Sequence, residues 1–126
     1  MITDKPISPE TVVNGVKNTG SGCVLAYIGL IREHSHNKQV SSVEYRDSKG
    51  TAETGLQKII SEVKQQWPVE DISICHRTGK LNVGDINLVI AVASAHRQEA
   101  FTACQYAIDQ FKQRIPTDKI ETYQDG

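Results

Sequence analysis

Two lysines near the end of the chain have the clearest potential for chemistry. Lys112 and Lys119 lie on either side of Pro116, so one is near the end of a predicted helix and the other just beyond it. His96 and Arg97 stand where a strand is predicted to give way to the same helix. A helix start offers unpaired N–H groups and a partial positive charge, which favour phosphate. These cations suit an anionic small molecule.

Arg32 and Glu121 extend this set. Arg32 follows the apolar run Cys23–Ile31, and residues at strand ends are often functional. Glu121 comes two residues after Lys119, so an extended chain would put both side chains on one face. The lysine could then stabilise a developing negative charge or move a proton. A surface ion pair, and for Lys112 a charge that complements the helix C-terminus, are the simpler alternatives.

Other chemistries find less support. His34 and His36 alternate and could share a face, but no third ligand is evident, so no metal site is predicted. His76–Arg77 precedes Gly79 and Gly84, and a turn that needs positive φ at the glycines explains this pattern. The sequence has no phosphate-binding glycine loop, zinc pattern or serine-hydrolase elbow.

The composition indicates one folded domain, residues 1–126, with 38% hydrophobic and 23% charged residues. A net charge of −1 disfavours nucleic-acid binding. Cys23, Cys75 and Cys104 fall in apolar patterns and are odd in number, which predicts buried free thiols in a reducing compartment. The longest apolar run is too short for a membrane span and the start lacks signal-peptide features, so a cytoplasmic protein is expected.

Hydrophobic periodicity predicts three helices and five strands. They are a helix from Ser8–Pro9, a strand Cys23–Ile31, a strand Val40–Arg46, a helix from Thr51 that Pro68 ends, strands Asp71–Arg77 and Ile86–Ser94, a helix of about Ala95–Arg114, and a short strand Lys119–Tyr123. The first strand is expected to be buried on both faces, and Asp71–Arg77 on one face, that of Ile72, Ile74 and His76. Arg32–Gln39 is expected to be a mobile loop. Consecutive strands favour antiparallel pairs, and therefore an α+β fold.

The chain resembles the large, catalytic subunit of molybdopterin synthase. The resemblance extends from about Cys23 to Gly126 and depends on the order and spacing of short stretches. These include Gly29–His34, His76–Asp85, Ser94–Arg97, Tyr106–Asp109 and Lys112–Pro116. It implies an α+β fold with a hammerhead-like α/β core and an additional antiparallel sheet.

The resemblance also implies a sulfurtransferase of molybdenum cofactor biosynthesis. Such subunits form a homodimer within a heterotetramer, and each binds a small ubiquitin-like sulfur carrier. The carrier's C-terminal thiocarboxylate delivers sulfur to cyclic pyranopterin monophosphate to form the molybdopterin dithiolene. No cofactor is required, because the sulfur arrives on the partner, and neither a nucleic acid nor a membrane is involved.

The family's residue roles carry over by position. The resemblance assigns catalysis to Lys119 and Lys112 and substrate binding to Arg32, His96, Arg97, Ile120 and Glu121. However, Asp118 and Ile120 stand where the family has a tryptophan and a second basic residue. This departure favours an alternative, a non-catalytic relative that keeps dimerisation and carrier binding. A general phosphate-binding module is a third hypothesis, but it leaves both lysines without a role.

Overall fold

The computed structural model describes residues 1–114 and 116–124, so Ile115, Asp125 and Gly126 of the predicted domain 1–126 lie outside the described residues. Three helices and eight strands form within the described part. In chain order they are β1 (Ile2–Thr3), α1 (Pro9–Val16), β2 (Cys23–Leu30), β3 (His34–Ser35), β4 (Lys38–Arg46), α2 (Ala52–Gln66), β5 (Asp71–Arg77), β6 (Gly79–Asn82), β7 (Ile86–Ser94), α3 (Arg97–Gln113) and β8 (Asp118–Tyr123).

The first sheet has the strand order β1-β5-β7-β2. Strands β5 and β2 pair antiparallel with β7, whereas β1 pairs parallel with β5. The apolar stripes of α2 and α3 pack on one face of this sheet, and α1 packs on the other face. The side chains of the larger core include Leu56, Ile59, Val63, Ile74, Ile90 and Phe111. Leu56, Ile59 and Val63 recur three or four residues apart, so they lie on the one face of α2 that packs against the sheet.

Two burial predictions were wrong, for related reasons. The run Cys23–Ile31 was expected to be buried on both faces, but Ile28 and Leu30 are exposed because β2 is an edge strand and α1 covers only the start of its second face, at Val24. Strand β5 was expected to bury one face, but Cys75 on its other face is also buried, beneath Ile7. Alternation in the sequence shows which side chains share a face of the strand, but it does not show which other elements pack on that face.

The second sheet is built around β4. Strand β8 lies along one side of β4 from Val40 to Arg46, and β6 lies along the other side. Neither β6 nor β3 was predicted. The expected mobile loop Arg32–Gln39 contains a hairpin instead, in which His36 and Asn37 turn the chain with φ of 53° and 62°. A two-residue turn with both residues in the left-handed region matches the twist of a hairpin.

The predicted α+β class is confirmed, including the additional antiparallel sheet. The expected antiparallel pairing of consecutive strands holds for β5 with β7, but β2 and β4 belong to different sheets. Glu62 of α2 joins the two long helices, since its carboxylate accepts hydrogen bonds from Tyr106 Oη at 2.6 Å and Arg114 Nη2 at 2.7 Å. These bonds link α2 to the middle and to the C-terminal end of α3.

Candidate active site

A cavity of about 500 Å³ lies where the two sheets and α3 meet. Its walls come from the end of β2, from β4, β7 and β8, and from the last turns of α3. The lining residues are Tyr27, Gly29, Leu30, Ile31, Arg32, Val43, Tyr45, Asn87, Leu88, Phe111, Lys112, Lys119 and Glu121. Ligand cavities of this size bury most of a small molecule's surface.

Three cations from separate elements converge on this cavity. Arg32 follows the buried Ile31 at the end of β2, and Lys112 follows the buried Phe111 in the last turn of α3. Lys119 projects from β8. A packed neighbour fixes the backbone beneath each of the first two cations, while the charged ends are free to reach solvent or a ligand. Glu121 contributes the one carboxylate found among the described lining residues.

Lys119 and Glu121 face the same side of β8, as alternation in the sequence predicted. Lys119 Nζ lies 3.8 Å from Glu121 Oε2, and Tyr123 Oη donates a hydrogen bond of 2.7 Å to Glu121 Oε1. Burial opposes ionisation of Glu121 and is the largest single influence, but hydrogen bonds from Tyr123 and Ser35 and the charge of Lys119 together hold its pKa below the ordinary value of 4.5. Glu121 therefore stays ionised and limits where the ammonium group can lie.

Asp118 and Ile120 do not line the cavity. They alternate with Lys119 and Glu121 along β8, so their side chains project from the opposite face. Asp118 Oδ2 accepts a hydrogen bond of 2.6 Å from Ser48 Oγ in an exposed position, and Ile120 is exposed as well. The predicted substrate-binding residue Ile120 is thus not brought to the cavity, and the departures from the family pattern lie away from it.

His96 and Arg97 are also not part of this cavity. They are the N-cap and the first residue of α3, and with Gln98 and Glu99 they line a separate surface recess. Lys112 lies near the other end of the same helix, about 22 Å away along the axis at 1.5 Å per residue. Within one chain, the two predicted anion-binding groups are therefore at opposite ends of α3.

Two neutral wall residues were missed as candidates from the sequence. Asn87 Nδ2 donates a hydrogen bond of 3.2 Å to Tyr45 Oη, and both side chains line the cavity. Burial raises the pKa of Tyr45, so its phenol stays protonated and can donate to a ligand. Asn87 was recognisable in principle, because it is the only amide in β7, a strand that is apolar apart from Asn87 and the terminal Ser94.

Comparison with known proteins identifies the family. The family model described as MoaE protein matches residues 2–114. The chain belongs to the MoaE family. Relatives named molybdopterin synthase catalytic subunit include those of Thermoplasma volcanium, 34% identical over 99% of this chain and 91% of the relative, and Bacillus subtilis, 35% identical over 99% and 80%.

Solved structures agree with this MoaE assignment. The molybdopterin synthase structure from Staphylococcus aureus matches with a TM-score of 0.92 at 35% identity, over 99% of this chain and 91% of that one. A complex of subunits 1 and 2 of molybdopterin-converting factor from Helicobacter pylori matches with a TM-score of 0.78, over 99% of this chain and 85% of that one. At 14% identity, the second match supports the fold alone.

Two of the three thiols of this MoaE family member are poorly suited to nucleophilic catalysis. All three cysteines are free and Cys75 and Cys104 are buried, as predicted, whereas Cys23 on the edge strand β2 is only half-buried. Burial raises the pKa of Cys104 to about 11 and also raises that of Cys75, and only a thiolate is an effective nucleophile. Within residues 1–114 and 116–124, no three or more His, Cys, Asp or Glu side chains form a possible metal site, and no helix is long and apolar enough to span a bilayer.

Proposed function

We propose that this chain is the catalytic subunit of a molybdopterin synthase. It transfers sulfur from the C-terminal thiocarboxylate of a small ubiquitin-like carrier to cyclic pyranopterin monophosphate and forms the molybdopterin dithiolene. The observation that carries this proposal is the convergence of Arg32, Lys112 and Lys119 on one cavity. Both reactants are anionic, so a cationic cavity favours their simultaneous binding. Holding them in contact removes much of the entropic cost of the reaction.

The four charged residues of the cavity each have a role in this proposal. Lys112 binds the carboxyl-type end of the carrier tail, and Arg32 binds an anionic group of the pterin. Two transfers supply the two sulfurs of the dithiolene, and in each the thiocarboxylate sulfur bonds to a pterin side-chain carbon that loses an oxygen substituent, after which water cleaves the acyl–sulfur bond. Lys119 stabilises the negative charge that develops on the departing oxygen and on the acyl oxygen. Glu121 orients Lys119 from 3.8 Å. Water takes up the acyl group, so the carrier leaves with an ordinary carboxylate.

A second copy of the chain supplies His96 and Arg97 to this cavity in our proposal. One protomer has its own pair about 22 Å along α3 from Lys112, too far for a small substrate to contact both groups. The exposed apolar side chains of edge strand β2, Ile28 and Leu30, support pairing between copies. The functional unit is then a homodimer with one carrier on each protomer.

Replacing Lys119 tests the catalytic role. With a thiocarboxylated carrier and the pterin precursor, Lys119→Ala should slow sulfur transfer about 100- to 1,000-fold, because a charge-stabilising donor is lost. Carrier binding, measured by titration calorimetry, should be nearly unchanged. Lys49→Ala is the matched control, since Lys49 is exposed and outside the cavity. Transfer at the wild-type rate by Lys119→Ala would refute the role.

Mixing two inactive variants tests the shared site. If His96 and Arg97 act across the dimer, Arg97→Ala and Lys119→Ala proteins exchanged into mixed dimers should recover activity, because one of the two cavities is then intact. Each variant alone should be nearly inactive. No recovery in mixed dimers confirmed by native mass spectrometry would contradict sharing.

The remaining features agree with this proposal. The 126 residues act as one domain, because the cavity takes walls from both sheets. Three free cysteines suit the reducing cytoplasm, where we place the reaction. The non-catalytic alternative relied on Asp118 and Ile120, and neither lines the cavity, so no structural observation favours it.

A further inference from the structure

The imidazole of His76 is completely buried, and both of its nitrogens have partners. Nδ1 lies 2.9 Å from the backbone oxygen of Asn87, and Nε2 lies 2.9 Å from Thr117 Oγ1. A carbonyl oxygen can only accept a hydrogen bond, so Nδ1 carries the proton. Nε2 is then the acceptor, and the hydroxyl of Thr117 donates to it. The two contacts thus define one tautomer.

These contacts join the parts that build the cavity. Thr117 comes directly before β8, and Lys119 lies two residues further along that strand. Asn87 lines the cavity and binds the hydroxyl of Tyr45. One imidazole therefore connects the start of the strand that carries Lys119 to the β7 wall of the same cavity.

Two aromatic rings also pack against the imidazole of His76. The rings of Tyr45 and Phe111 meet it edge-on, with centroids 4.9 and 5.0 Å away. Both rings line the cavity, whereas His76 and Thr117 do not. Edge-on packing and two hydrogen bonds leave the ring no alternative rotamer with the same contacts.

We propose that His76 is a positioning residue for sulfur transfer, and that its hydrogen bond with Thr117 sets where β8 starts and so where Lys119 reaches into the cavity. This inference depends on the proposed role of Lys119. A reacting group needs support from a second layer of fixed contacts, since a displacement of about 1 Å can cost about 100-fold in rate. A simple structural role, in which the bond only satisfies two buried polar groups, would affect stability without a specific effect on turnover.

Variants of Thr117 separate the two roles. Thr117→Val keeps the shape of the side chain and removes its donor, so kcat for sulfur transfer should fall about 10- to 100-fold, while KM for the pterin precursor and the Kd for the carrier stay within about twofold. Thr117→Ser restores the donor and should recover most of kcat. Ser48→Ala is the matched control, because it removes a 2.6 Å hydrogen bond to Asp118 on the opposite face of β8. Its kcat should match wild type.

Two readouts do not depend on activity. Hydrogen exchange of the β8 amides should accelerate in Thr117→Val and not in Ser48→Ala. In the wild-type protein, imidazole ¹⁵N NMR should find the Nδ1–H tautomer of His76, and an Nε2–H tautomer would overturn the proposal.

The outcomes also distinguish this inference from the proposed function. The positioning role alone would be overturned if Thr117→Val kept the wild-type kcat and the wild-type rate of β8 amide hydrogen exchange while Lys119→Ala was inactive. An active Lys119→Ala would overturn the catalytic role on which it depends. A fall in kcat for Thr117→Val that Thr117→Ser does not reverse would also count against the hydrogen bond as the cause.

Discussion

Acid should destabilise this protein before its carboxylates titrate, and His76 is the reason. Burial lowers the pKa of His76 below its ordinary value of 6.5, although the hydrogen bond to Asn87 opposes this. In the unfolded chain the imidazole regains that ordinary value. Between the two pKa values the unfolded state binds a proton that the folded state does not. Stability is therefore fully present above pH 6.5 and is lost as the pH falls below it.

The size of the effect follows from this single proton. One proton taken up on unfolding changes the free energy of unfolding by at most about 1.4 kcal/mol per pH unit. Between pH 6.5 and 5.0 the loss would approach about 2 kcal/mol if the folded imidazole stayed neutral throughout, a large part of a typical 5–15 kcal/mol. Glu62 and Glu121, whose pKa values are lowered from 4.5 by interactions in the folded protein, contribute only at lower pH.

Urea unfolding at several pH values between 7 and 5 measures this loss, and His76→Gln is the control. Glutamine does not titrate, and its amide offers one donor and one acceptor to replace those of the ring. The variant should be less stable at pH 7 because the aromatic packing is lost, but its stability should vary much less with pH. An equal decline in wild type and variant, or a flat wild-type profile, would show that His76 is not the buried neutral group inferred here.

Two further predictions concern the fold that supports the cavity. A Cβ at Gly22 would lie 2.3 Å from the backbone oxygen of Ala95, so Gly22→Ala should lower the free energy of unfolding by about 1–3 kcal/mol. Gly15→Ala in α1, where nothing lies within 4 Å, should be neutral or stabilising in the same urea assay. Glu62→Gln weakens the paired contacts with Arg114 at 2.7 and 3.0 Å and should cost about 1 kcal/mol at low salt. If the thermal unfolding temperature of Glu62→Gln equals that of the wild type in both low and high salt, the Glu62–Arg114 pair contributes nothing to stability.

Much of the local structure follows from the sequence. A helix was predicted from Ser8–Pro9, and Ser8 caps α1, because its Oγ accepts a hydrogen bond from Thr11 N at 3.3 Å. Alternation in Lys119–Glu121 correctly predicted that both side chains share one face, because that property depends only on an extended backbone. Such features depend on residues only a few positions apart, so they can be predicted from a single sequence.

The cavity could be predicted only in part. Arg32, Lys112 and Lys119 were selected by charge and position, and folding brings all three together. His96 and Arg97 were selected by the same reasoning, yet they lie at the other end of α3. A helix start predicts an affinity for anions, but it does not specify which other groups the fold brings beside it.

The environment of His76 was predicted from the sequence in part and decided by the tertiary structure in part. The alternating pattern correctly predicted that its side chain lies on a buried face of β5, while the motif around it suggested only a turn. The packing of β7, α3 and β8 decided that the ring would bind Asn87 and Thr117. The sequence by itself determined where the three helices and the five longer strands form and which of their side chains share a face, because these depend on local periodicity. The tertiary structure decided which strand is an edge and which polar groups meet, because those contacts join residues far apart in the chain, 41 positions for His76 and Thr117 and 81 positions for Ser41 and Thr122.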